Sequence, residues 1–286
     1  MRSRNALPGA RRCPPPPTPE RLFVKRVLTA AVLVAALLAA FYFLDQQQFR
    51  LLVALIVGLA AYEWAALCGG GRVAAVTYAA ACTLLYCSIL MLPGLVGGVT
   101  GAAAAFWLLV APWWLSRGFL PGPRSVLPLA GIIVIVPAGA AMAWMPRGQL
   151  LALLGMVVVA DTAAYFCGRA FGHRKLAPAI SPGKTWEGAI GGSLGCLIYA
   201  TICAMLIPDF QARVQGSGWP MFLAAAVLLS GVSIIGDLFE SAAKRRAGVK
   251  DSGGLLPGHG GILDRIDSAT AMLPVAMLLM QATGAT

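Results

Sequence analysis

VLTAAVLVAALLAAFYFL, Val27 to Leu44, decides the class of the molecule. The stretch carries no charge and is long enough for a helix to cross a hydrocarbon core of about 30 Å. Outward from it the same texture repeats. Apolar stretches near 27–44, 50–68, 73–92, 98–115, 126–145, 150–168, 187–207, 220–238 and 269–284 predict about nine spans of that length. In lipid a backbone must satisfy its own hydrogen bonds, so each span is expected to be a helix. The alternating short segments of an outer-membrane barrel are absent. The composition agrees: 59% hydrophobic and 12% charged, where a soluble domain carries roughly 25% charge. The expected fold class is all-α, a polytopic transmembrane helical bundle.

Of the 22 Lys and Arg, only Arg50, Arg147 and Arg213 fall on the outer side if the N-terminus is cytoplasmic. This asymmetry obeys the positive-inside rule and predicts an inner N-terminus and an outer C-terminus. The net charge of +11 is then a topology signal. It is spread over several loops, so nucleic acid is not expected as a partner. Residues 1–26 are basic, contain Pro14 to Pro17, and read as a disordered cytoplasmic extension. The apolar run that follows is longer than the core of a signal peptide and reads as a retained helix. Residues 27–148 are then N-terminal transmembrane helices, and 149–286 a C-terminal transmembrane region that holds the chemistry. Cys82, Cys87, Cys196 and Cys203 lie in apolar spans and no CxxC pair exists, so neither a disulfide nor a zinc site is expected.

Two inner loops break the apolar pattern, about Gly168 to Glu187 and about Asp237 to Ser268, and both are long for connectors in a bundle. They are the expected cytoplasm-facing site. Asp161 sits within the sixth span, where an ionised group is costly unless it faces a bundle interior or a wet cavity. Tyr165 and Arg169 follow at successive turns on its face. In the first loop, Gly183-Lys184-Thr185 suggests a P-loop, but Pro178 stands where that pattern needs glycine, and no strand is expected before it. Ser181-Pro182 instead reads as the opening of a helix whose free N–H groups attract phosphate. Lys184 adds a charge and Thr185 a hydroxyl. Glu187 reads equally as a first-turn helix stabiliser.

The second loop is GDLFESAAKRRAGVKDSGGLLPGHGGILDRIDS. If Asp237 to Arg245 is helical, Asp237, Ser241 and Lys244 share a face, with Arg245 near Ser241. Asp264 and Asp267 share another. Gly253-Gly254 and Pro257-Gly258-His259-Gly260-Gly261 force a turn where backbone can come close to a ligand. Acidic residues (Asp237, Glu240, Asp251, Asp264, Asp267) balance basic ones (Lys244, Arg245, Arg246, Lys250, Arg265). A lipid-headgroup patch would be one-sided. The mixture suits a hard metal bridging phosphate oxygens, with Lys and Arg neutralising the rest. A salt-bridged loop covering the bundle end is the plainer alternative. His259 suits either hydrogen bonding and proton transfer or a structural place in the turn.

Ser241-x-x-Lys244-Arg245, Lys250-Asp251-x-Gly253 and Pro257-Gly258-His259-Gly260-Gly261-x-x-Asp264-Arg265-x-Asp267 resemble the signature of the phosphatidate cytidylyltransferase (CDP-diacylglycerol synthase) family. Asp161 to Gly192, with Gly168-Arg169 and Ser181 to Gly188, is similar to the family's upstream block. The N-terminal half resembles the family only in being hydrophobic. The resemblance implies transfer of the cytidylyl group of CTP to phosphatidate with Mg²⁺, a second cation completing a paired-metal arrangement on Asp237 and Asp264, and a homodimer in the cell membrane. Asp251 and Asp267 are further metal candidates. Asp237, Asp264, Lys244, Arg245, Ser241 and His259 are then the expected catalytic residues. Lys184, Thr185, Ser181, Lys250, Arg265 and Asp161 are expected at CTP, phosphatidic acid or both. A cytidylyltransferase for another lipid phosphate, such as an isoprenoid-based one, fits the same residues. A transporter fits poorly, because no internal repeat is visible.

Overall fold

The computed structural model describes residues 31–283 apart from 33, 118–125, 216–217 and 257–259. The 1–26 extension and His259 lie outside the described residues. The elements in chain order are α1 (Val34–Phe43), α2 (Gln46–Leu67), α3 (Arg72–Met91), α4 (Pro93–Ala105), a π-helical turn (Phe106–Val110), α5 (Ala111–Ser116), α6 (Val126–Trp144), α7 (Arg147–Phe171), β1 (Lys175–Ala177), β2 (Ser181–Thr185), α8 (Trp186–Leu206), α9 (Pro208–Val214), α10 (Gly218–Arg246) and α11 (Leu263–Ala282). The helical bundle is as expected. Among the described residues seven helices are long and apolar enough to cross a membrane, α4 to α5 counting as one. Two expected spans are not among them. The described part of α1 is short, and α11 opens on Asp264, Arg265 and Asp267.

Local chemistry explains the breaks. Asp45 and Gln48 form a reciprocal capping box that starts α2. The π turn directly precedes Pro112, whose ring lacks an N–H and crowds the turn before it. The α11 helix is the axis of the bundle and packs on α10, α4, α6, α2 and α7. Its small and flexible side chains (Ala269, Ala271, Met272, Ala276, Met277) are buried, together with Ser268 and Thr270. Protein rather than lipid surrounds it, so it tolerates a polarity that a lipid-facing helix would not.

The α7 and α8 helices form the tightest pair, through glycines on α8. A Cβ at Gly188, Gly192 or Gly195 would come within 2.9, 3.0 and 2.8 Å of Ala164 O, Ala160 O and Ala163 Cβ on α7. Small residues at such spacing let two membrane helices approach closely. The opposite face of α8 exposes Trp186, Ile190, Leu194, Ile198 and Ile202 at every fourth position.

Candidate active site

The first polar loop is shorter and more ordered than expected. Helix α7 runs on to Phe171, and an antiparallel hairpin follows, with Lys175 opposite Thr185 and Ala177 opposite Ser181. The expected helix opening at Ser181-Pro182 is therefore corrected: Ser181 to Thr185 is strand β2, and α8 begins at Trp186. The reason is Thr185, whose hydroxyl accepts from Gly188 N at 3.1 Å as the N-cap. Thr185 is buried against the α7–α8 pair, so its hydroxyl caps a helix where a substrate contact was expected. Glu187 takes its first-turn role and accepts from Arg174 N at 3.2 Å. Successive strand residues point to opposite sides. Lys184, next to buried Thr185, reaches the other way and pairs with Asp237 at 2.5 Å.

The second loop is also shorter, because α10 continues to Arg246 and α11 begins at Leu263. Asp237 therefore lies within a helix. The expected helical face exists: Ser241 Oγ donates to Asp237 at 3.2 Å. One residue over, Lys244 donates to Glu240 at 2.8 Å and to Asp264 at 2.6 Å, joining α10 to α11. Phe239 anchors this segment in an aromatic nest of Trp64, Phe106, Trp107 and Trp114, with centroids 5.3 to 6.2 Å away. Arg245 turns to the hairpin, its Nε donating to Ile180 O at 3.3 Å.

Asp264 is the most heavily bonded of the expected carboxylates. It accepts from Lys244, from Ser252 N at 2.9 Å, from Ser252 Oγ at 3.0 Å and from Gly261 N at 2.8 Å. Burial alone would raise its pKa, but Lys244 and the two amides outweigh burial and hold the carboxyl at about 2. Asp267 goes the other way. Burial, then the charge of Asp237, push it up to about 7. Asp161 is exposed on α7, within electrostatic reach of Asp237, Lys184 and Arg265. Tyr165 OH accepts from Arg169 at 3.2 Å, as their spacing predicts. Lys250, Asp251 and Arg265 are exposed at the mouth of the turn.

The structure thus brings Asp161, Lys184, Asp237, Ser241 and Asp267 to one place, and Lys244 and Asp264 to another. Glu240 bridges them, since it feels both Asp267 and Asp264. Two buried carboxylates beside these groups were not among the expected site residues. Glu240 is 3% exposed, with Oε1 lacking a partner in the structure. Glu63, on α2, is 2% exposed and accepts from Ser252 Oγ and Ile262 N, both at 3.1 Å, between α10 and α11. The available signal for Glu63 was an acidic residue within an apolar span, the signal that singled out Asp161.

The carboxylates offer only hard oxygen donors, the set that suits a divalent cation such as Mg²⁺. Among the described residues no three of His, Cys, Asp and Glu converge closely enough to hold a metal as they stand. The ammonium groups of Lys184 and Lys244 already sit on Asp237 and Asp264, cations placed on the two expected ligands.

The model of a family described as "Cytidylyltransferase family" matches residues 24–283. A phosphatidate cytidylyltransferase of Pseudomonas aeruginosa is 40% identical over 249 residues, 82% of this chain and 89% of that protein. Phosphatidate cytidylyltransferases of Haemophilus influenzae and Brucella suis are 50% and 43% identical over 127 and 171 residues. Those two matches cover 44% and 57% of this chain, and 43% and 57% of the relatives.

Proposed function

Because the chain belongs to the cytidylyltransferase family, we propose that it joins CTP and phosphatidate to give CDP-diacylglycerol and pyrophosphate for phospholipid synthesis. The observation that carries this reading is the placement of two lysines on carboxylates from separate elements, Lys184–Asp237 and Lys244–Asp264. Such pairs neutralise each other at rest and can exchange partners when phosphates arrive.

The nucleophile is a phosphate monoester, already largely ionised at pH 7 because its second pKa is about 6. A strong general base is unnecessary. A phosphate oxygen attacks the α-phosphorus of CTP, and the bond to the β-phosphate oxygen breaks to release pyrophosphate. The residues must place the two anions and neutralise charge that shifts to the leaving group. Lys184 and Lys244 supply positive charge. Ser241 can donate to a phosphate oxygen, while Arg265 and Lys250 line the approach. Once phosphates draw the lysines away and the two clusters close on each other, Asp237, with Asp267 beside it, and Asp264 would be the carboxylates to hold a divalent cation. Mg²⁺ bound there would neutralise phosphate oxygens and orient the triphosphate.

The proposal extends to a homodimer in the inner membrane with its site open to the cytoplasm. The placement of all but three Lys and Arg on one side of the expected spans supports that orientation. The test is purified protein in detergent given labelled CTP and phosphatidic acid, with and without Mg²⁺. Labelled CDP-diacylglycerol that depends on both substrates and the cation is expected. Turnover of an isoprenoid phosphate alone would replace the lipid assignment.

A further inference from the structure

Glu63 is an acidic side chain set among fully buried apolar neighbours, Ala60, Ala61 and Trp64. Such a group is tolerated only if hydrogen bonds replace its lost water. They come from far along the chain. Oε1 accepts from Ile262 N at 3.1 Å, and Oε2 accepts from Leu263 N at 2.8 Å and from Ser252 Oγ at 3.1 Å. Ile262, the N-cap of α11, makes no side-chain cap of its own. Glu63 thus caps α11 from α2 and meets the positive end of that helix.

The glycines of the turn form the socket for this carboxyl. A Cβ on Gly253 or Gly261 would collide with Glu63 oxygens, and on Gly261 also with Ser252 Oγ. Ser252 then links two carboxylates, since its Oγ lies 3.1 Å from Glu63 Oε2 and 3.0 Å from Asp264 Oδ2. One hydroxyl proton serves both. The Ser252 and Gly261 amides that hold Asp264 belong to the segments that Glu63 pins.

We infer that Glu63 is a positioning residue for the reaction: it fixes the start of α11 and, through Ser252, sets the Asp264 carboxylate in place. This rests on the cytidylyltransferase reading of the same site. Glu63 is buried behind the turn and acts through Asp264. A displacement of about 1 Å at such a group can cost about 100-fold in rate.

The test compares Glu63→Gln and Ser252→Ala with wild type, alone and with Asp264→Asn. Glu63→Gln keeps the shape but turns an N–H₂ toward donors. Ser252→Ala leaves both α11 amides on Glu63 and cuts only the link to Asp264. Glu63→Gln is expected to lower kcat by about tenfold or more, with the CTP KM within about threefold, and Ser252→Ala to do the same more weakly. Neither should lower kcat further once Asp264 is Asn. Equal losses in both backgrounds, or a lower Tm with unchanged kcat in both variants, would reduce Glu63 to a helix cap. Hydrogen exchange separates this from failure of the enzymatic reading. Glu63→Gln should speed exchange at the Ser252 and Gly261 amides as well as at Ile262 and Leu263. Unchanged exchange at Ser252 and Gly261 overturns the inference whatever reaction the wild-type protein performs. If Glu63→Gln does not fold, Ser252→Ala alone decides: wild-type kcat there overturns it.

Discussion

Lys184 on the β1–β2 hairpin and Lys244 on α10 set their ammonium groups on carboxylates at nearly the same distance, 2.5 and 2.6 Å. What surrounds them differs. The Lys184 and Asp237 side chains are 26% and 25% exposed. Lys184 pairs with Asp237, with Asp161 in electrostatic reach, and stands on a two-stranded hairpin. Lys244 is 12% exposed and lies between Glu240 and Asp264, whose side chains are 4% and 6% exposed. Behind that pair stand Ser252, Glu63 and the axial helix. One region can yield its lysine to an incoming anion at little cost. The other is held by the bundle core. The difference suggests that the hairpin captures phosphate and the α10–α11 corner holds the reacting groups still.

The most forceful way to break this comparison is to remove charge from each pair while keeping its shape. Asp237→Asn and Asp264→Asn should each lower kcat by about 100-fold or more, as loss of electrostatic transition-state stabilisation does. The double variant should be little worse than either single one if both act through one cation. Steady-state turnover in folded, inserted protein is the measurement. Near-wild-type turnover by either variant would shift the metal to Asp267, Asp161 or Asp251.

The lysines should then part company. Lys244→Ala leaves Glu240 and Asp264 facing each other in a buried place. Breaking such a pair costs about 3 kcal/mol, so thermal unfolding should move down clearly and kcat with it. Lys184→Ala frees a half-exposed carboxylate and should barely move the Tm. On the proposed role it also removes a phosphate contact made in both ground and transition states, so KM for CTP or phosphatidate should rise about tenfold with kcat nearly constant. A matched loss of stability in both variants would erase the distinction between the two regions.

The same contrast explains what was legible in the sequence. Membrane helices announce themselves by unbroken apolar runs, so α2, α3 and the spans from α4 to α8 were placed within about five residues, while α10 runs eight residues beyond its apolar stretch, to Arg246. The i, i+4 relation of Asp237 and Ser241 follows from helical spacing alone. The hairpin was hidden, because Ser181-Pro182-Gly183 fits a helix start as well as a strand and its few ladder pairs leave no alternating pattern. Glu63 was hidden for a different reason. Its partners Ser252, Ile262 and Leu263 lie 189, 199 and 200 residues away. No local pattern encodes such a contact, and only the lone carboxylate among apolar residues hints at it.

The smallest expected effect concerns pH, and it separates two carboxylates three residues apart on the first turns of α11, ahead of the apolar stretch from Ala269. Asp264 is held at about 2, against an ordinary value of 3.8. Its contribution to stability is fully present above 3.8 and is lost as pH falls toward 2, because only the unfolded chain takes up the proton in that window. Asp267 is pushed up to about 7 from the same ordinary value. Between 3.8 and 7 the folded chain keeps a proton that the unfolded chain releases, so this group costs stability as pH rises through that range. In metal-free detergent solution the two slopes therefore have opposite signs. Asp264→Asn should flatten the fall in Tm below pH 4, and Asp267→Asn should flatten the decline between pH 4 and 7. If Asp267→Asn leaves the upper slope unchanged, Asp267 is not carrying the repulsion of Asp237, and the two charge clusters are less closely joined than their shared place on α11 implies.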